Sequence, residues 1–192
     1  RVDLNYKGDI TRVFGIPAIA DFNEDGIPEI YISNKIFNAL TGIKLGDGGP
    51  NGIGTEDYQT YHYSSISIAA QLDEDSTDLE LAAGFTVYKV VILNPSGISG
   101  NSLLPINIKV NNEFKDGVTT ISDINLDGRL DVIVTTPGPS NVGLIYVYTL
   151  SNGSPKLIAK AFPPGGSDAL IGPPLTGDIK GFGKPSIIFS RS

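Results

Sequence analysis

Short runs rich in β-branched and aromatic residues recur along the chain at Glu29 to Ser33, Leu79 to Ala83, Leu130 to Thr135 and Pro185 to Phe189. Composition of this kind predicts strands, since branched and aromatic side chains fit a pleated, half-buried surface. In the middle of the chain each run is followed by two more. Phe85 to Leu93 and Leu103 to Val110 are joined across Asn94-Pro95-Ser96-Gly97, while Val142 to Leu150 and Lys156 to Phe162 flank Ser151-Asn152-Gly153-Ser154. An Asn-Gly pair between two apolar runs is a strong hairpin signal. No segment keeps a helical apolar period over about eleven residues, so the expected class is all-β.

Acidic segments punctuate the strands. Ala20-Asp21-Phe22-Asn23-Glu24-Asp25-Gly26-Ile27-Pro28-Glu29 aligns with Ala70-Gln71-Leu72-Asp73-Glu74-Asp75, with Ser122-Asp123-Ile124-Asn125-Leu126-Asp127-Gly128-Arg129-Leu130-Asp131, and with Gly177-Asp178-Ile179-Lys180-Gly181-Phe182-Gly183. Their starts at 21, 71, 123 and 178 are separated by 50, 52 and 55 residues. That period is too long for leucine-rich or ankyrin repeats and suits a four-stranded propeller blade. Repeats beginning near 14, 65, 117 and 170 then fill residues 1–192 as one propeller domain or segment. Val2 to Tyr6 reads as an outer strand without a blade of its own, and Pro185 to Phe189 as a second strand with nothing after it. Either the N-terminal strand joins the last blade of a small four-bladed ring, or the chain is a section of a larger ring. The second arrangement is favoured because the first leaves a blade one strand short. A section would expose sheet edges and apolar faces and require the rest of a larger polypeptide.

The acidic loops carry the chemistry. Asp21, Asn23 and Asp25 put side-chain oxygens at alternate positions, Gly26 permits a tight bend, and Glu29 returns a carboxylate from the start of a strand. Asp123, Asn125, Asp127, Gly128 and Asp131 repeat the arrangement. A hard cation with six to eight oxygen ligands requires such a set, completed by one backbone carbonyl, here that of Ile27 or Arg129. Calcium fits best: magnesium demands a tighter octahedron, and no His or Cys is near for zinc or copper. The plain alternative is a polar Asp/Asn/Gly turn, and two complete copies favour the metal. In the second loop Ser76 replaces the glycine and an extra residue precedes Glu80; Asp73, Asp75, Asp78 and Glu80 then form a third, weaker site or a solvated loop. The fourth keeps only Asp178, with Lys180 and Phe182 where oxygens belong, so no ion is expected there. Two bound ions would move the formal charge from −7 to −3. Neutral Asn ligands suit millimolar extracellular calcium better than cytosolic levels, which predicts a secreted or cell-surface address.

Phe14-Gly15-Ile16-Pro17-Ala18-Ile19-Ala20 leading into Asp21-Phe22-Asn23-Glu24-Asp25-Gly26 resembles the FG-GAP repeat of integrin α-subunit propellers and many secreted bacterial proteins. Glu29-Ile30-Tyr31-Ile32 and Leu79-Glu80-Leu81-Ala82-Ala83-Gly84 are similar to the bacterial surface branch, and Val134-Thr135-Thr136-Pro137 matches the Gly-Ala-Pro part loosely. The resemblance covers nearly the whole chain with two of four loops intact. It implies a β-propeller with calcium between the first and second strands of a blade, and an extracellular address. Family members usually have more blades than this chain supplies, in keeping with a section of a larger ring. It transfers no ligand, because such folds carry many functions.

Composition narrows the functions that remain. With 14 basic and 21 acidic residues among 192, nucleic-acid binding is not expected. No apolar run approaches the roughly eighteen residues of a membrane span, so no membrane insertion is expected. Zero Cys excludes disulfides, thiolate metal sites and a cysteine nucleophile, and zero Met is consistent with a processed or excised piece. His62 is the sole histidine, within Tyr58-Gln59-Thr60-Tyr61-His62-Tyr63 after a Gly-rich insertion from Gly46 to Thr55. Tyr58, Tyr61, His62 and Tyr63 could stack on a sugar, or His62 could act as a base; against this stands an ordinary polar residue beside exposed tyrosines. Acids outside the metal loops, Asp47, Glu56, Asp57, Glu113, Asp116 and Asp168, form no pair suited to glycoside hydrolysis. The expected function is a calcium-stabilised, non-catalytic binding, adhesion or scaffold module with a glycan or protein ligand. The alternative is the propeller of a polysaccharide-degrading, lyase-type enzyme or a lectin-like glycan-binding domain.

Overall fold

In the computed structural model the described residues are 15–52, 55–56, 62–63, 65–73, 78–107, 116–137, 143–162 and 172–190. Every regular element among them is a strand, so the protein is all-β there. β1 (Ala18–Ala20), β2 (Glu29–Ile32), β3 (Lys35–Asn38) and β4 (Lys44–Asp47) form an antiparallel sheet in chain order. A short pair, β5 (Thr55–Glu56) and β6 (His62–Tyr63), follows it. The second sheet contains β7 (Ile68–Ala70), β8 (Glu80–Ala83), β9 (Thr86–Val91) and β10 (Ser102–Asn107). The third contains β11 (Val118–Ser122), β12 (Asp131–Pro137), β13 (Gly143–Ser151) and β14 (Ser154–Ala161). β15 (Leu175–Gly177) and β16 (Ser186–Ile188) begin a fourth sheet.

The acidic segments therefore lie between the first and second strands of each sheet, as the repeat predicts. Three details differ from the sequence reading. That reading leaves the first repeat with one strand after its loop, whereas β3 and β4 are present, buried through Ile36, Phe37 and Leu45 despite their lysines and asparagine. Gly46, assigned to a Gly-rich insertion, belongs to β4: a Cβ there would run into Leu103 Cδ1, so the glycine admits the neighbouring sheet. Asn94 to Gly97 is part of a longer connection organised by Asn101. Its Oδ1 accepts the N–H groups of Leu93 and Asn94, and its Nδ2 donates to main-chain oxygens that include Leu45 O in the first sheet. The Asn152-Gly153 hairpin is as expected, with φ of 51° and 68°. Val2 to Tyr6, residues 108–110, Asp75, Tyr58 and Tyr61 lie outside the described residues.

The strands read as continuous apolar runs because the middle sheets are covered on both faces. Alternate residues point to opposite faces, and the core divides accordingly. Leu81, Ala83, Tyr88 and Val90 pack towards the first sheet against Tyr31, Ile36 and Leu45. Ala82 and Val87, on the other face, pack against Val132, Val134, Tyr146 and Tyr148 of the third sheet. Ile133, Ile145 and Val147 turn away from that cluster towards Ile187 and Phe189 in the last segment. Successive sheets are thus stacked face to face in chain order. First strands meet first strands, β11 touching β7 and β15, and last strands meet last strands, β10 touching β4 and β14.

Side-chain hydrogen bonds stitch the same seams. Ser33 Oγ donates to Ser65 O (2.9 Å), Ser65 Oγ to Gly117 O (3.2 Å), and Thr135 Oγ1 to Gly172 O (3.1 Å). Ile66 and Val118 form a parallel bridge between the second and third units. Asp116, which the sequence reading leaves as a scattered loop acid, is buried and accepts the Gly52 N–H at 2.6 Å across 64 residues of chain. Tyr148 donates its hydroxyl to Gly84 O (2.8 Å) beside it. Burial raises the Tyr146 and Tyr148 hydroxyl pKa values well above normal, aided by Tyr148 and Asp116 at the former and by Asp116 at the latter, so both hydroxyls stay neutral.

Candidate metal centre

The first loop is shaped by its first aspartate. Asp21 Oδ1 accepts the Asp25 N–H (3.1 Å) and Oδ2 accepts the Gly26 N–H (2.8 Å). The Asn23 amide donates to Asp25 Oδ2 (2.9 Å), and Asp25 Oδ1 accepts the Ile27 N–H (2.8 Å). The third loop repeats each bond. Asp123 accepts from Asp127 (3.0 Å) and Gly128 (2.8 Å), Asn125 donates to Asp127 Oδ2 (2.9 Å), and Arg129 N–H donates to Asp127 Oδ1 (3.0 Å). Four of the predicted positions in each loop are therefore gathered into one turn, together with the residues named for their carbonyls, Ile27 and Arg129.

The backbone explains the glycine. Gly26 and Gly128 have φ of 84° and 86°, the left-handed region that side chains avoid. Two positions earlier, Glu24 (56°) and Leu126 (62°) adopt positive φ without being glycine, at about 1 kcal/mol each. The Asp178 loop has the same form: Asp178 accepts the N–H groups of Phe182 (3.1 Å) and Gly183 (2.7 Å), and Gly181 and Gly183 take the positive φ positions. It has neither the strain nor the oxygen ligands. The turn is therefore a property of the leading Asp and trailing Gly, and the remaining oxygens in the first and third loops are additional to what the turn requires.

The first three loops each close onto a buried carboxylate at the start of the second strand. Phe22 N–H donates to Glu29 Oε2 (3.0 Å), Ile124 N–H to Asp131 Oδ2 (2.9 Å), and in the second loop Leu72 and Asp73 N–H groups donate to Glu80 Oε2 (2.8 and 3.2 Å). The side chains of Phe22 and Leu72 fill the apolar seams to the next sheet, and Ile124 is packed against the third. Burial raises the pKa of Glu29, Glu80 and Asp131, opposed by those N–H bonds and reinforced by the neighbouring acids, Asp21 and Asp25 for Glu29, Asp73 and Asp78 for Glu80, and Asp127 for Asp131. Glu80 Oε1 is buried with no hydrogen-bond partner, and Asp131 Oδ1 is buried without a well-formed one, the Thr149 hydroxyl standing close enough to oppose the rise in its pKa. An orphaned carboxylate oxygen is costly unless a cation or donor meets it.

The donor set, all oxygen and mostly carboxylate, fits a hard divalent ion in the first and third loops. Among the described residues, no three or more Asp, Glu or His side chains are drawn together as a ready-made metal cluster; the loop carboxylates are turned onto N–H groups, each oxygen keeping a further lone pair. The second loop is met by Lys89, whose Nζ lies 3.5 Å from Asp73 Oδ2. Sequence reasoning missed this lysine, because its approach depends on strand pairing. It also missed Asp116, whose partners come from distant segments. Of the aromatic candidates, the backbone of His62 and Tyr63 pairs with Thr55 and Glu56 in β5, while Tyr58 and Tyr61 lie outside the described residues. No protein-family profile, curated protein or solved structure matches the chain.

Proposed function

We infer that the protein is a calcium-stabilised, non-catalytic binding or scaffold module, built as a section of a β-propeller of FG-GAP type and acting outside the cell. The observation that carries this reading is the pair of matching loops, Asp21 to Glu29 and Asp123 to Asp131, each ending on a buried carboxylate that faces the next sheet. The propeller arrangement draws support from the succession of four-stranded sheets with first strands together on one side and last strands on the other. When bound, calcium would supply positive charge to the carboxylates of Asp21, Asp25 and Glu29 in the first loop and of Asp123, Asp127 and Asp131 in the third.

The chain's own residues define what that charge would do. Phe22 and Ile124 tie each loop to its terminal carboxylate through the backbone and to the seam through their side chains. A loop braced at this point stiffens the junction between successive sheets, which is a structural role. Glycan or protein ligands would then engage the rim loops, which a rigid scaffold presents. Extracellular calcium at millimolar levels matches a site with neutral Asn ligands, which is the basis for the secreted or surface assignment.

Thermal unfolding in millimolar calcium and in excess chelator tests the reading. At tenfold saturation each site adds about 1.4 kcal/mol, so two sites would raise the midpoint by roughly 5 to 10 °C for a domain of this size. The Asp25→Asn, Asp127→Asn double variant should lose that rise. An unchanged midpoint in the parent protein would reduce both loops to polar turns. Turnover of a pectic or host polysaccharide would replace the non-catalytic reading with the enzyme.

A further inference from the structure

The second loop shares the acidic start and buried end of its neighbours, but its surroundings differ. Glu80 is fully buried and stands directly opposite Lys89 across the β8 and β9 ladder. Directly opposed residues project from the same face of a sheet. The equivalent partner of Glu29 is the uncharged Asn38. Lys89 Nζ lies 3.5 Å from Asp73 Oδ2 and 3.8 Å from Asp78 Oδ1. One ammonium thus spans carboxylates from the two ends of the loop. The two acids are mostly buried, 12% and 16% exposed at the side chain, while Lys89 is 34% exposed, so the contact is partly shielded from solvent. Glu80 gives Oε2 to two N–H groups and leaves Oε1 buried and unpartnered on the same face.

We propose that Lys89 is the resident cation of the second loop and keeps divalent ions out of it, so that removing the ammonium turns Asp73, Asp78 and Glu80 into a calcium site. The carboxylates of Asp73, Asp78 and Glu80 need positive charge, as do those of the first and third loops, and a tethered lysine supplies it without the translational entropy of binding a free ion. A divalent ion entering beside Lys89 would meet a like charge at the same oxygens. The ammonium is a compact point charge on a flexible stem, suited to this position. The inference rests on the calcium reading of the other two loops for its choice of ion.

Calorimetric titration of the full chain with calcium decides it, comparing the parent protein with Lys89→Met, Lys89→Gln and Lys89→Arg. Lys89→Met is expected to bind one more ion per chain than the parent, and adding Asp73→Asn should abolish the gain. Lys89→Arg should show no gain, and Lys89→Gln gives the same answer if the Met variant fails to fold. Equal stoichiometry in the parent, Met and Gln proteins overturns the proposal, as does a parent site that Asp73→Asn removes. Because the readout is a difference between variants, a parent that binds no calcium sinks the reading of the first and third loops while the gain on losing Lys89 still decides this one.

Discussion

Asp131 accepts the Ile124 N–H through Oδ2 at 2.9 Å, while its buried Oδ1 makes no well-formed hydrogen bond and the Thr149 hydroxyl stands near enough to oppose the rise in the carboxyl pKa. One half of this carboxylate is therefore committed to shaping the loop, and the other keeps lone pairs that a cation could use. Asp131→Asn is nearly isosteric and removes the buried charge. In chelator it should unfold at the parent temperature or slightly above, since a carboxyl whose charged form burial disfavours is replaced by a neutral amide. In calcium it should lose the part of the stabilisation that belongs to the third loop, about 1.4 kcal/mol at tenfold saturation. Paired melting curves check both arms.

Asp25 and Asp178 separate metal binding from turn formation. Asp178 holds two N–H groups in a loop without further oxygen ligands, so Asp178→Ala should cost about 1 to 2 kcal/mol whether or not calcium is present. Asp25→Ala should cost more in calcium than in chelator. Denaturant midpoints measured in both buffers give the comparison.

Asp47 sets a pH dependence apart from the metal loops. Burial alone would raise its pKa, but hydrogen bonds from Lys44 (2.9 Å) and Lys35 (3.0 Å), with the Gly49 N–H, outweigh that and lower it from 3.8 to about 2. A depressed folded pKa contributes stability that is complete above the unfolded value and disappears as pH falls through the folded one. Asp47→Asn should therefore cost on the order of 1 kcal/mol at neutral pH after discounting for solvent screening. The gap to the parent should shrink below pH 3.8 and close as pH falls below about 2. Urea unfolding across this range measures it.

Two glycines in the left-handed region should respond differently to alanine. Gly26, at φ +84°, has nothing within 4 Å of the point where a Cβ would stand, so Gly26→Ala carries only backbone strain, about 1 kcal/mol. At Gly84, φ +70°, the added carbon would run into Asp116 Cα and lie 2.7 Å from Gly117 N. Gly84→Ala should cost about 3 kcal/mol or more, because the second and third units would have to separate. Thermal or urea unfolding of both variants makes the comparison, and comparable losses would contradict the close packing at this seam.

The repeat made much of this architecture legible in advance. Fixed spacing of Asp, Asn and Gly located the loops, because a turn with two left-handed positions and a leading carboxylate is specified within one short segment. Branched residues located most strands. β3 and β4 escaped because Lys35, Asn38, Lys44 and Asp47 share those short strands with only a few apolar residues, and burial by the second sheet decides their state. Lys89 and Asp116 escaped for a related reason, since each acts on groups distant in sequence.

Local chemistry determined the all-β class, the repeating order of strand, acidic loop and strand, and the residues in each turn, since backbone sterics and nearby hydrogen bonds settle those over a few positions. Tertiary structure alone decided which face of each strand meets which neighbour, that Glu29, Glu80 and Asp131 are buried, and that the second loop meets a lysine. Those outcomes follow from strand register and sheet stacking, in which a one-residue shift exchanges the two faces.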